Sequence, residues 1–278
     1  FEADTRQLVR KAVADAEKMG VTFAFGTEME FYLFQRDEAG EPTRIPYDRA
    51  GYMDIAPEDK GENVRREICL TLEQMGIRSE CSHHEQGPGQ NEIDFRYSQP
   101  LTAADNAATF RTVVDSVAVR NGLAADFSPK PLSGQPGNGM HINISAKSAD
   151  GADVMPSLIA GILAHIAEMT VFLNTVDASY LRFGGSKAPR DISWSSENRS
   201  QLIRIPAAQG EYRRAELRSP DPLCNPYLAF ALLIYAGLDG IRRQMELPKA
   251  ADINFFSASE EVKSAFKTLP ATLAQAKA

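Results

Sequence analysis

Two periodicities organise the chain. The first is helical. Between residues 4 and 19, Leu8, Val9, Ala12, Val13, Ala16 and Met19 form one stripe that Gly20 terminates, which predicts a helix. Residues 61–75 repeat the pattern on Val64, Ile68, Leu72 and Met75, with Gly76 behind them. Residues 102–121 open on Thr102 and Asp105, a start of the capping-box kind, and end at Gly122. Residues 156–174 and 225–244 are apolar enough to be core helices, with His165 at the core's edge. The second period is two. Residues 26–34 place Glu28 and Glu30 together, opposite Met29 and Phe31. Residues 140–145 set His141, Asn143 and Ser145 against Met140, Ile142 and Ile144, and residues 213–218 put Arg214, Glu216 and Arg218 on one face. A loop over residues 39–60, rich in Gly, Pro and Asp, carries Gly51 and Tyr52. Helices alternating with strands that are polar on one face and apolar on the other predict an α+β domain, an antiparallel sheet backed by helices.

Composition narrows the partners. The chain has 278 residues, 43% apolar and 24% charged, enough for one large core or two modest ones. A net charge of −7 argues against nucleic acid or an anionic membrane as partner. Cys69, Cys81 and Cys224 are too few and too scattered for a disulfide framework or a zinc site, and their odd count fits a reducing cytoplasm. No signal peptide is visible, and the longest apolar run, 228–238, falls short of a membrane span.

The polar strand faces carry the candidate chemistry. Ahead of His141, Lys130-Pro131-Leu132-Ser133-Gly134-Gln135-Pro136-Gly137-Asn138-Gly139 has three glycines in six residues, a loop whose bare N–H groups can cradle an anion. Ser82-His83-His84-Glu85-Gln86-Gly87-Pro88-Gly89-Gln90-Asn91-Glu92 sets two carboxylates around a Gly-Pro-Gly turn. Each segment alone reads equally well as a glycine-rich turn with a solvated face. Together they offer five carboxylates (Glu28, Glu30, Glu85, Glu92, Glu216) and one imidazole (His141), a donor set suited to two hard divalent cations, Mg²⁺ or Mn²⁺. The nearby arginines supply forks for phosphate and carboxylate. This is the equipment of ATP-dependent phosphoryl transfer.

These stretches, with Asn198-Arg199-Ser200, Ile203-Arg204-Ile205-Pro206 and Glu216-Leu217-Arg218-Ser219-Pro220-Asp221-Pro222, resemble the catalytic domain of type I glutamine synthetases, in the family's order and over roughly residues 24 to 240. The resemblance implies a curved antiparallel sheet forming a metal-lined funnel. Residues 1–278 would be one catalytic domain, cut at both ends, with the family's N-terminal β-grasp domain missing. One cation would be held by Glu30, Glu85 and Glu92 and the other by Glu28, His141 and Glu216. Arg199, Arg204 and Arg214 match contacts to the ATP phosphates, with Asn143 beside them as a further donor. Tyr97 and Ser145 match the adenine site, and Glu80 the ribose site. Gly137, Arg182 and Arg218 match the glutamate site. Tyr52 and Glu85 would line the ammonium cavity, and the intact protein would form a homo-oligomeric ring.

Three departures stand out. Lys187, in Arg182-Phe183-Gly184-Gly185-Ser186-Lys187-Ala188-Pro189, occupies the flap position where the family has a glutamate that takes a proton from ammonium. Pro136 stands where many members have an asparagine that helps hold the amino acid, and the third expected departure is the lack of the family's N-terminal domain. The expected activity is ligation of glutamate with ammonia through γ-glutamyl phosphate. The alternatives are a γ-glutamyl ligase for another amine, or a non-catalytic nucleotide-binding paralogue.

Overall fold

The computed structural model describes residues 4–185, 187–196, 198–208, 210 and 213–278; Phe1 and the flap residue Ser186 lie outside the described residues. Its spine is β1 (Val21–Arg36), sixteen residues long. Strand β6 (Met140–Ser148) pairs antiparallel with β1 from Val21 opposite Ser148 to Met29 opposite Met140. Strand β4 (Gln90–Phe95) pairs antiparallel with β1 from Glu28 opposite Asp94 to Tyr32 opposite Gln90. With β3 (Ser79–His84), β7 (Trp194–Ser196), β8 (Ile203–Ile205) and β9 (Ala215–Leu217), the strands run in the order β3-β4-β1-β6-β9-β8-β7. Strands β2 (Pro42–Pro46) and β5 (Leu123–Asp126) attach to the far end of β1. All pairs are antiparallel except β7 with β8. The α+β reading therefore holds.

The apolar face of β1 supplies the core. Phe25 stacks on Phe230 with centroids 4.5 Å apart, and Phe31 meets Phe110 edge-on at 6.0 Å. Each such buried ring contributes about 1.5–3 kcal/mol over an exposed one. Phe110 lies on α3 (Pro100–Arg120) and Phe230 on α6 (Pro226–Arg242), so both helices are fixed against the strand that carries Glu28 and Glu30. Helices α1 (Thr5–Lys18), α2 (Glu62–Gln74) and α4 (Met155–Leu173) complete the backing layer, and three short helices, α5 (Asp177–Tyr180), α7 (Glu260–Lys263) and α8 (Leu273–Ala276), punctuate the remainder.

Two expectations need correction. Helix α3 begins at Pro100 rather than Thr102, without a side-chain cap, because proline at the first turn needs no donor there. Asp105 instead accepts from Arg6 Nη2 at 2.9 Å and from the Tyr227 hydroxyl at 2.7 Å, tying α3 to α1 and α6. The loop over 39–60 also contains β2, whose pairing with β1 was not visible in its proline-flanked sequence. Among the described residues α4 is long and apolar enough to cross a membrane by length and composition. Its apolarity is accounted for by Leu158, Ile159, Ile162 and Ile166, all buried in the same core as α6.

His165 on α4 joins that helix to α6 through Asp239, Nε2 to Oδ2 3.0 Å. The hydrogen bond to Asp239 raises His165 above its ordinary 6.5 and helps to lower Asp239 to about 2. The link thus stabilises the fold below His165's unfolded value and is lost as pH rises through its folded one; on the acid side it is lost as pH falls through about 2. Histidine NMR titration is expected to show His165 above 6.5 and an Asp239→Asn variant with the value lowered. An unmoved His165 would refute the pairing.

Candidate active site

The site follows from register. In an antiparallel sheet, directly opposed residues share a face. Glu28 lies opposite His141 on β6 and Asp94 on β4, Glu30 opposite Glu92, and Asn143 opposite Glu216 on β9. Residues as far apart in sequence as Glu28 and Glu216 are thereby gathered on the face turned away from the phenylalanine core.

His141 Nδ1 is 3.1 Å from Glu28 Oε2 and 3.7 Å from Glu216 Oε1. One ligand atom from each of the three falls within a 4.8 Å cluster, so the set Glu28, His141 and Glu216 is spatially assembled. The other expected set is assembled differently. Glu85 and Glu92 cluster with His83, whose Nε2 is 3.4 Å from Glu85 Oε1, rather than with Glu30. Glu30 turns to the glycine loop instead, accepting from the Gly139 N–H at 2.7 Å and from Gln90 Nε2 at 3.4 Å. It still lines one small cavity with Glu85, Gln90, Gly137, His141, Arg182 and Lys187.

The electrostatics are those of a site built for cations. Burial, then the charge of Glu30, pushes the Glu92 carboxyl well above its usual range. Burial likewise raises Glu30, and burial together with Glu28's charge lifts Asp94 to about 8. Burial works to raise Glu28 too, but the hydrogen bond and charge of His141 outweigh it and bring it to about 2. Buried carboxylates at this density repel one another unless positive charge is supplied. Oxygen-rich, crowded and carrying one imidazole, the donor set fits hard divalent ions. Asp94, within 4.8 Å of ligand atoms of Glu28 and Glu92, escaped the sequence reading. Its signal was present, since it follows Glu92 by two and so shares its strand face.

Cations ring these carboxylates. Arg204 Nη1 donates to Glu216 Oε2 at 2.6 Å, and Arg218 Nη1 donates to Glu216 Oε1. Lys187 Nζ donates to Glu85 Oε2 at 2.8 Å. There burial would raise Glu85, but the hydrogen bonds from His83 and Lys187 prevail and bring it to about 2. Arg199 Nη1 reaches the Tyr52 hydroxyl at 3.2 Å. Arg182 is buried and donates to the Ser219 carbonyl at 3.1 Å. Gly137 lies so close that a Cβ there would be 2.6 Å from Arg182 Cγ.

Glu28 also lines a second cleft, with Gly26, Thr27, Glu80, Asp94, Tyr97, Asn143, Ser145 and Arg214. Arg214 Nε donates to Asn143 Oδ1 at 2.9 Å, and Asn143 Nδ2 to Glu28 Oε1 at 2.8 Å. The structure therefore brings Glu80, Tyr97, Asn143, Ser145 and Arg214 to one cleft. Arg204 lies on Glu216 and Arg199 on Tyr52, outside that lining. A third acid–imidazole group, Asp48, Asp59 and His84, is spoken for internally. His84 Nε2 meets Asp48 Oδ1 at 2.9 Å, Arg65 donates to Asp59, and Gly89 N–H donates to Asp48 at 2.9 Å, clamping the β3–β4 turn to the 47–61 loop.

Residues 2–278 match the family described as glutamine synthetase, catalytic domain. The chain is 47% identical over 274 residues to a glutamine synthetase of Clostridium saccharobutylicum and 45% identical over 292 residues to one of Methanosarcina mazei. These alignments cover 94% and 99% of the chain but only 62% and 65% of the relatives. Among solved structures it resembles GmaS in complex with ADP, with a TM-score of 0.86 at 30% identity over 98% of this chain and 66% of that one. A Plasmodium falciparum glutamine synthetase shares the fold, with a TM-score of 0.82 at 21% identity over 98% of this chain and 69% of that one.

Proposed function

The chain belongs to the glutamine synthetase catalytic-domain family, and from that premise we propose that the protein ligates glutamate to ammonia at the expense of ATP. The reading rests on one observation above all: Glu28, His141 and Glu216, from three different strands, converge, with His141 lining the cavity of Arg182 and Lys187 and Glu28 lining the cleft of Tyr97 and Ser145. ATP would lie in that cleft, its base against Tyr97 and Ser145, its ribose near Glu80 and its phosphates toward Asn143, Arg214, Arg199 and Arg204. Glutamate would lie against Gly137, Arg182 and Arg218. Two divalent ions, Mg²⁺ or Mn²⁺, would be held by Glu28, His141 and Glu216 and by Glu30, Glu85 and Glu92; when bound they neutralise the terminal phosphate and orient it for in-line transfer. The γ-carboxylate oxygen bonds to that phosphorus as the bond to ADP breaks, and ammonia then displaces phosphate from the acyl carbon, losing a proton to the site. Arg182 and Arg218 are buried, so a carboxylate they bind meets little competition from water.

Residues 1–278 act in this reading as a single catalytic domain of a cytoplasmic, ring-forming homo-oligomer. The free cysteines Cys69, Cys81 and Cys224 are in keeping with a reducing compartment. Because Lys187 contacts both Glu85 and Tyr52, a second reading keeps the phosphoryl step and changes the amine. The test is phosphate release from ATP with glutamate, across ammonia and a panel of primary amines, with mass spectrometry of the product. Glutamate-dependent release with glutamine as product is expected. Release with another amide as the main product selects the second reading, and no glutamate dependence discards both.

A further inference from the structure

Lys187 is held in an unusual way. Its φ is +61°, in the left-handed region that side-chain-bearing residues rarely adopt. The turn that holds it is closed by Gly184 N–H on the Ala188 carbonyl at 2.9 Å, and its own carbonyl accepts from Arg218 Nη2 at 3.3 Å. The backbone is thus fixed at both sides of the residue, and the side chain is aimed inward. Its ammonium lies 3.8 Å from the centroid of the Tyr52 ring and 2.8 Å from Glu85 Oε2. Tyr52 is itself braced, edge-on to His83 at 5.6 Å and hydrogen-bonded by Arg199.

An aromatic face and a carboxylate held around one cation are the groups that bind a free ammonium ion. We propose that Lys187 is a tethered ammonium that occupies this place from within the chain, and that it sets the protein's demand for ammonia: the ion reaches Glu85 and Tyr52 only by displacing it. The inference rests on the ligase reading for its kinetic consequence, though not for its structural one. A group tethered by a short linker competes at an effective concentration of about millimolar or more. Ammonium gains on binding what Lys187 loses on leaving, so its apparent affinity falls by the ratio of occupied to free states. Lys187 is therefore a specificity-determining residue, acting by competition.

Two measurements test this on the full-length protein in magnesium-containing buffer. The first needs no turnover. With ¹³C-labelled lysine, the Lys187 CεH₂ resonance, assigned by its loss in Lys187→Arg, is expected upfield of the other lysines through the Tyr52 ring current. Ammonium chloride should return it toward them where sodium chloride at equal ionic strength does not, and Tyr52→Leu should remove the shift. The second is kinetic. Lys187→Asn, chosen because asparagine tolerates the left-handed backbone, should lower the KM for ammonia roughly tenfold with the KM for glutamate changing less than twofold, while Lys187→Arg keeps the ammonia KM high. An unshifted resonance, equal response to both salts, or an ammonia KM unmoved by Lys187→Asn overturns the proposal. If no glutamate-dependent turnover exists, the ligase reading fails and the resonance measurement alone decides.

Discussion

Replacing Glu30 and His141 together by alanine is expected to abolish cooperative binding of Mn²⁺ and nucleotide and to lower phosphate release by a factor of about a thousand or more. His141 is the only imidazole in the Glu28–Glu216 cluster, held within 3.1 Å of Glu28 in a pocket where it is 5% exposed. Without it, Glu28 and Glu216 face each other with less compensating charge. Glu30 is nearly as buried, and its loss leaves the Gly139 N–H without its acceptor at the turn from the glycine loop into β6. Titration calorimetry with Mn²⁺ and a non-hydrolysable ATP analogue reads the first effect, and steady-state phosphate release the second. Glu30→Gln with His141→Gln nearly preserves volume and separates loss of ligands from loss of fold. Unchanged metal affinity in both double variants would remove the basis for the two-cation site.

Gly161→Ala and Gly240→Ala are each expected to destabilise the fold by about 3 kcal/mol or more, against the helix propensity that favours alanine by about 1 kcal/mol. Helices α4 and α6 cross at these two residues with backbone against backbone. A Cβ on Gly161 would stand 2.2 Å from the Ala236 carbonyl oxygen, and one on Gly240 would stand 2.0 Å from that of Ser157. Neither neighbour is a side chain that can rotate away, so the helices must separate along the crossing. Leu158, Ile162, Leu233 and Ile234, all fully buried, would then lose contacts. Thermal unfolding should fall by roughly 10 °C for each variant, since a domain of this size loses about 2–4 °C per kcal/mol. Gly122→Ala is a suitable contrast, because no heavy atom lies within 4 Å of its Cβ position and only its φ of +69° opposes the change. Equal melting temperatures for Gly161→Ala and wild type would show that α4 and α6 do not meet as described.

Much of the site is legible in the sequence. Alternation places Glu28 beside Glu30 and His141 beside Asn143 whatever the partner strand, because side-chain parity in an extended chain is a local property. Helical stripes located the backing helices to within two residues, α3 included, but not that Asp105 would pair with Arg6 and Tyr227 instead of capping its own helix. The position of β2 was not legible, since Pro42–Pro46 has no apolar alternation and is a strand only because β1 extends far enough to pair with it. Asp94 lay within reach of the same parity argument that found Glu92.

The sequence by itself determined the chemistry and the faces: which residues bear the carboxylates, imidazole and guanidinium groups, and which of them point the same way along each strand. The tertiary structure alone decided the groupings. Glu85 sits with His83 and Lys187, Glu216 takes both Arg204 and Arg218, and Glu30 turns to Gly139. The reason is physical. A strand's own alternation is set by covalent geometry, but its register against another strand is set by packing of the whole apolar face, where a one-residue slip would turn Phe25 and Phe31 to the solvent. Only when that packing has fixed Glu28 opposite His141 do charges far apart in the chain come within reach, and their partners are then chosen by distance and burial.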